Sequence, residues 1–140
     1  MVDILNTIIY CGVGIILMTL GTYLVDLVIP CDFPTEIKKR NVAVGYIIAG
    51  IHIGVGIILR SAIMTPAISE GSTTLLQGIT STVIYFLLGI AICILAYLAM
   101  HIVHKKYNLN KEIGDGNPSA GLMIMGLFVG LSIVISGVIY

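Results

Sequence analysis

Four long apolar runs separated by three short polar breaks organise this chain. The first run, Ile4 to Ile29, carries only small or weakly polar interruptions until Asp26. Pro30 and Pro34 then end it, because proline removes a backbone donor and restricts the residue before it. Glu36, Lys38, Lys39 and Arg40 fill the first break, and the second span is expected over Val42–Ile63. Pro66 and the polar stretch Ser69–Thr74 mark the second break. The third span is expected over Leu75–Val103, followed by polar residues from His104 to Asp115, and the fourth over Ser119–Tyr140. Each run is long enough to cross about 30 Å of hydrocarbon, which takes about 20 helical residues. Two helix starts are marked chemically. Asn41 and Asn117 are good N-caps, since the side chain accepts a bond from a free first-turn amide. Pro118 follows Asn117 at the first helical position, where its missing amide costs nothing.

The pattern also repeats. Glu36–Ile63 aligns without gaps on Glu112–Ile139 at a constant offset of 76. Glu36 falls on Glu112, Ile37 on Ile113 and Asn41 on Asn117, while Gly45, Gly50 and Gly54 fall on Gly121, Gly126 and Gly130. This reads as a duplicated two-helix unit, residues 4–65 and 75–140, within one transmembrane domain. An even number of helices per unit inserts both units the same way, so the repeat is expected to be parallel rather than inverted. Lys38, Lys39, Arg40, Lys105, Lys106 and Lys111 all lie in the first and third breaks. The positive-inside rule therefore places loops 30–41 and 104–117 in the cytoplasm and both termini on the outer side.

Composition agrees. Hydrophobic residues make up 58% and charged residues 10% of the chain, against about 25% charged in a soluble domain. Mean hydropathy is +1.09. The fold class is all-α and membrane-embedded, with very little outside the bilayer. A formal net charge of zero gives no reason to expect nucleic acid or an acidic partner; membrane lipid is the expected surrounding. Cys11, Cys31 and Cys93 form no close-spaced motif, so neither a disulfide framework nor a zinc ribbon is suggested. The first residues contain Asp3 and no Lys or Arg, so a cleavable signal is not expected and the first run should remain as a helix.

Candidate chemistry is sparse. On a helical wheel Gly50, Gly54 and Ser61 share one face of the second span, with Gly45, Ala49, His52 and Gly56 roughly opposite. The fourth span has Gly126, Gly130 and Gly137 on one face and Gly121, Met125, Phe128 and Ser132 on the other. Small residues allow helix backbones to approach closely in a membrane, so two small faces imply two close neighbours. His52 lies mid-span and should face protein or water; it is either a proton-relay or ligand-contacting residue, or a neutral histidine bonded to a neighbouring helix. Arg60 can snorkel to the interface, and Asp26 can pair with Lys38 or Lys39 or stay hydrated. His101 and His104, one turn apart, could meet Cys31 and Asp32 at a metal, but a hydrated interfacial pair is the expected reading. No nucleophile elbow, phosphate loop or metallopeptidase motif is present, so neither an enzyme nor a cofactor is expected.

The two Glu-Ile-x-x-x-Asn units, each leading into a Gly-rich span, resemble the domain of unknown function 350 family, the YjfL-like small integral membrane proteins. The resemblance covers essentially the whole chain, including the turn from Pro30 to Asp32; His52 and Arg60 depart from the simple pattern. It implies a multi-pass protein of the cytoplasmic membrane of a bacterium or archaeon and brings no activity with it. The expected role is assembly, as a homo-oligomer or a small subunit of a membrane complex joined through Gly50/Gly54 and Gly126/Gly130. The alternative is an oligomeric channel or transporter with His52 in the path.

Overall fold

The structure, a computed structural model, describes the backbone of residues 2–65, 74–104 and 106–139, with side chains from Ile4 onward. Most of the second polar break, residues 66–73, and the terminal Tyr140 lie outside the described residues, as does Lys105. Among the described residues six helices follow in order: α1 (Val2–Asp26), α2 (Phe33–Lys38), α3 (Val42–Met64), α4 (Leu75–Val103), α5 (Leu109–Gly114) and α6 (Pro118–Ile139). Four of them, α1, α3, α4 and α6, are long and apolar enough to cross a membrane, and there is no strand among the described residues.

The ends of the helices have local causes. α1 stops at Asp26, three residues before the expected Ile29. The chain tightens there, with Val28 N–H on the Val25 carbonyl at 3.0 Å and Cys31 N–H on the Ile29 carbonyl at 2.7 Å. The Asp26 carboxylate then accepts the Phe33 amide at 2.8 Å and so holds the start of α2. α4 opens with a capping box: Thr74 and Gln77 each bond the other's backbone amide.

α2 and α5 lie in stretches that the sequence reads as polar loops. Each has only six residues, too few to show helical periodicity. Their N-caps are matched: Asp32 accepts from Thr35 N at 2.9 Å, and Asn108 accepts from Lys111 N at 3.2 Å. Both helices end on a left-handed residue, Arg40 at φ 61° and Gly116 at φ 79°. Buried Phe33, Leu109 and Ile113 tie them to the bundle.

α3 is the central helix, packed on α1, α4 and above all α6. α3 and α6 run parallel, from the Ala43–Gly121 contact at one end to Thr65 Oγ1 donating to the Ile139 carbonyl (3.1 Å) at the other. A Cβ on Gly50 would stand 2.8 Å from Met125 Cα, and one on Gly121 would stand 2.4 Å from the Ala43 carbonyl oxygen. Lipid is as apolar as these side chains, so helix association here rests on close contact and hydrogen bonds rather than on escape from water. The Ser61 and Ser136 hydroxyls supply one such bond between the two helices. Phe86, Ile90, Cys93 and Tyr97 of α4 complete the core against α3.

Candidate functional site

The polar groups gather at two places, a paired turn at one end of the bundle and a groove between α1 and α3. At the turn, buried Asn41 caps α3 by accepting from Val44 N at 3.1 Å. Its amide group donates to Glu36 Oε2 (2.8 Å) and to the Ile113 carbonyl (2.9 Å), with the Gly114 carbonyl at 3.3 Å. The same residue thus caps one helix, holds its own turn and closes the C-terminus of α5. Seventy-six residues later Asn117 donates to Glu112 Oε2 at 2.6 Å, and its Oδ1 accepts from Ser119 N at 3.0 Å. The backbone bonds recur as well: Asn41 N to the Glu36 carbonyl and Asn117 N to the Glu112 carbonyl are both 2.9 Å. Asn117 closes no helix end of the second kind. Beside it is a groove of about 350 Å³ lined by Tyr107, Glu112, Asn117, Ser119, Ala120 and Met123.

The electrostatics of the first turn follow from these bonds. Asn41 and then Lys39 hold the Glu36 carboxyl below the usual glutamate value. Lys39 Nζ lies 2.9 Å from Glu36 Oε1 and is raised in return. The hydrogen bond from Thr35 lowers Asp32. Burial, followed by the charges of Glu36, Asp26 and Asp32, pushes the Cys31 thiol up to about 11, so it is protonated at neutral pH and a poor nucleophile.

The groove between α1 and α3 has a volume of about 410 Å³ and is lined by Thr19, Thr22, Tyr23, Asp26 and His52 among others. His52 Nε2 lies 3.1 Å from Thr22 Oγ1. The Thr22 hydroxyl also lies 3.1 Å from the Met18 carbonyl, within reach to donate to it. The His52 ring itself is exposed. Asp26 is occupied by the Phe33 amide and pairs with neither Lys38 nor Lys39; Lys39 is held by Glu36. Arg60 is exposed farther along, where a wider groove of about 800 Å³ runs between α1 and α3 past Tyr10 and Cys11.

The glycines divide. Gly50 and Gly54 of α3 lie against Met125, Phe128 and Ser132 of α6, so their close neighbour is inside the chain rather than a second subunit. Gly121 packs on Ala43 in the same interface. Gly126, Gly130 and Gly137 are exposed, with nothing within 4 Å of a Cβ, and Gly45 is open in the same sense. Thus the Gly50 face of α3 meets the Gly121 face of α6, and the opposite faces of both helices remain uncovered by one another. Sequence reasoning names both faces; nothing in it says which pair meets.

Cys31, Asp32, His101 and His104 do not come together as a cluster of three or more metal-ligating groups among the described residues. His104 instead packs edge-on against Tyr107, with ring centroids 5.6 Å apart. Tyr97 donates its hydroxyl to Asn110 Oδ1, tying α4 to α5. Neither the Asn110 contact nor the Asn41–α5 contact is anticipated from the sequence, since both depend on which turns lie side by side.

The family model described as Domain of Unknown Function (DUF350) matches residues 1–139. The chain belongs to the DUF350 family. This DUF350 chain is also similar to a UPF0719 transmembrane protein of Aquifex aeolicus (strain VF5), with 25% identity over 128 residues. That match takes in 91% of this chain but 46% of the relative, so the chain spans about half the relative's length. No solved structure matches. The membrane class read from the apolar runs thus agrees with the relative's description, and the resemblance carried by the Glu-Ile-x-x-x-Asn units is the family itself.

Proposed function

We propose that this DUF350 chain is a non-enzymatic assembly unit of a bacterial or archaeal cytoplasmic membrane. It is built from two parallel two-helix units, with the α2 and α5 turns in the cytoplasm and the termini outside, and it associates with other helices through the outer face of α6. The observation that carries this reading is the exposed series Gly126, Gly130 and Gly137. Its counterparts in α3, Gly50, Gly54 and Ser61, are covered by a parallel helix. Glycines on an α-helix weaken it by about 1 kcal/mol each relative to alanine, and close helix contact offsets that loss in a membrane. Native mass spectrometry of the gently extracted protein tests it. A discrete oligomer, or the chain with a bound membrane partner, is expected; a monomer alone removes the assembly reading.

A second reading has its own observation. His52, Thr22 and Thr19 line a groove at membrane depth, where polar and ionisable side chains are costly and tend to serve a path or ligand. In this reading the assembled protein passes protons, ions or a small solute along the α1–α3 groove. Flux into liposomes that disappears in His52→Leu supports it, and flux unchanged by that substitution removes His52 from it.

A further inference from the structure

We propose that copies of this chain join head to tail, with the outer face of α6 and the α5 turn of one copy seated on the α2–α3 unit of the next. This rests on the assembly reading and specifies its partner and its geometry. The occupant is a second copy of this chain, because the contact required is one the chain already makes with itself.

The internal interface is directional. The face of α3 carrying Ala43, Gly50, Gly54 and Ser61 meets the face of α6 carrying Gly121, Met125, Ser132 and Ser136. If the two units were joined face to like face, the interface would be closed and complete. Instead each unit uses a different surface, so one surface of each kind is left over. Shifting the contacts by 76 residues names the leftovers. Gly50 on Met125 becomes Gly126 on Ala49, Gly54 on Ser132 becomes Gly130 on Gly56, and Ala43 on Gly121 becomes Ser119 on Gly45. Every one of these six residues is small, so the two backbones can approach closely at these three points. None of the six is buried under the chain's own helices in the way Gly50 is: Ser119, Gly126 and Gly130 are exposed, and Gly45, Ala49 and Gly56 are half-exposed, with the end of the flexible Met18 side chain of α1 3.5 Å from a Cβ placed on Gly56.

The turns extend the same relationship. Asn41 donates to the Ile113 carbonyl of α5. Its counterpart Asn117 faces an open groove, and the matching acceptor is the carbonyl of Ile37, an exposed residue of α2, in the next copy. Charge fits as well. Glu36 is neutralised by Lys39, whereas the residue in the place of Lys39 in the second unit is Asp115, leaving Glu112 and Asp115 together. In the next copy the position corresponding to Gly114 is Lys38, which arrives beside that acidic pair. The relative of which this chain matches only 46% has length for a second such set of spans in one polypeptide. A head-to-tail contact closes into a ring when its rotation divides a full turn, and two copies are the fewest that can leave no face uncovered.

The test uses the full chain in membranes, with Cys11, Cys31 and Cys93 changed to alanine. The Ser61 and Ser136 hydroxyls are hydrogen-bonded inside the chain, and their shifted counterparts are Gly137 and Arg60. Co-expressed Gly137→Cys and Arg60→Cys copies, oxidised with copper phenanthroline, are expected to give a covalent dimer containing one of each. Neither variant alone is expected to do so. Ser61→Cys with Ser136→Cys in a single chain is expected to link internally with no change in mass, which reports that the variant background is folded. Gly137→Cys linking to itself would mean a like-to-like contact and would overturn the head-to-tail arrangement while leaving assembly standing. No mixed dimer despite the internal link would overturn it too, as would failure of the internal link, because the contact being copied would then be wrong. A wild-type monomer by native mass spectrometry would instead end the assembly reading itself.

Discussion

The side-chain amide of Asn41 reaches the backbone carbonyl of Ile113 at 2.9 Å, across 72 residues of sequence. Four bonds from one buried side chain hold together the first turn, the start of α3 and the end of α5. Asn41→Ala leaves Glu36 and the α5 carbonyls without that partner. Loss of the cap costs about 1 kcal/mol, and each buried group left unpaired adds about 1–3 kcal/mol. Asn117→Ala removes a cap and the bond to Glu112, both within its own α5–α6 turn, and no bond of the long-range kind that Asn41 makes to Ile113, so its effect should be clearly smaller. Thermal unfolding of the two variants in the same detergent checks the order.

The inner and outer glycines should respond in opposite ways. Gly121→Ala drives a methyl into the Ala43 backbone, 2.4 Å from its carbonyl oxygen. Backbone cannot swing aside as a side chain can, so destabilisation of about 1–3 kcal/mol or more is expected. Gly126→Ala meets nothing within the chain and should leave the monomer as stable or up to about 1 kcal/mol more stable. The same change should weaken association between copies. Unfolding curves and native masses of both variants, measured side by side, separate the two effects.

Left-handed backbone at the ends of α2 and α5 gives a matched pair. Arg40 holds φ 61°, a region that costs a non-glycine residue about 1–2 kcal/mol, and its counterpart Gly116 holds φ 79°. Arg40→Gly should therefore raise stability by up to about 1 kcal/mol. Gly116→Ala should lower it by a similar amount, although a Cβ there meets only Asn41 Oδ1 at an ordinary 3.6 Å. Unfolding midpoints shifting the other way in either case would count against this strain.

The Glu36–Lys39–Asn41 turn also sets a pH window. Glu36 is lowered, so its contribution is present above the ordinary glutamate value of 4.5 and is lost as pH falls through its lower folded value. Lys39 is raised, so its contribution is present below the ordinary lysine value of 10.5 and fades as pH rises through the higher folded value. Glu36→Gln should flatten the acid side of a stability–pH curve. A curve of unchanged shape would mean that this turn is not what titrates.

The spans themselves were legible because twenty or more apolar residues leave few alternatives in water or lipid. The expected Val42–Ile63 and Leu75–Val103 differ from α3 and α4 by at most one residue, since Asn41 and the polar breaks mark their ends. The short helices were not legible by periodicity, but Asp32 and Asn108, four residues before Glu36 and Glu112, were a usable cap signal. What a single sequence could not supply was the choice of partner. Both glycine faces of α3 look alike on a helical wheel, and the Gly50 face meets α6 because of how the helices settle together. His52 shows the same limit: its position mid-span was readable, its bond to Thr22 was not.

The central place of α3 has a consequence for synthesis. Ribosomes deliver the N-terminal half first, so α3 enters the bilayer well before α6 exists. During that interval Gly50, Gly54 and Ser61 have no protein against them, and the two-helix half is an unfinished object. Its missing surface is supplied by whichever complementary helix arrives, including one from a separately made polypeptide. A chain cut between α3 and α4 should therefore be restorable by expressing its two pieces together, with each piece short-lived on its own.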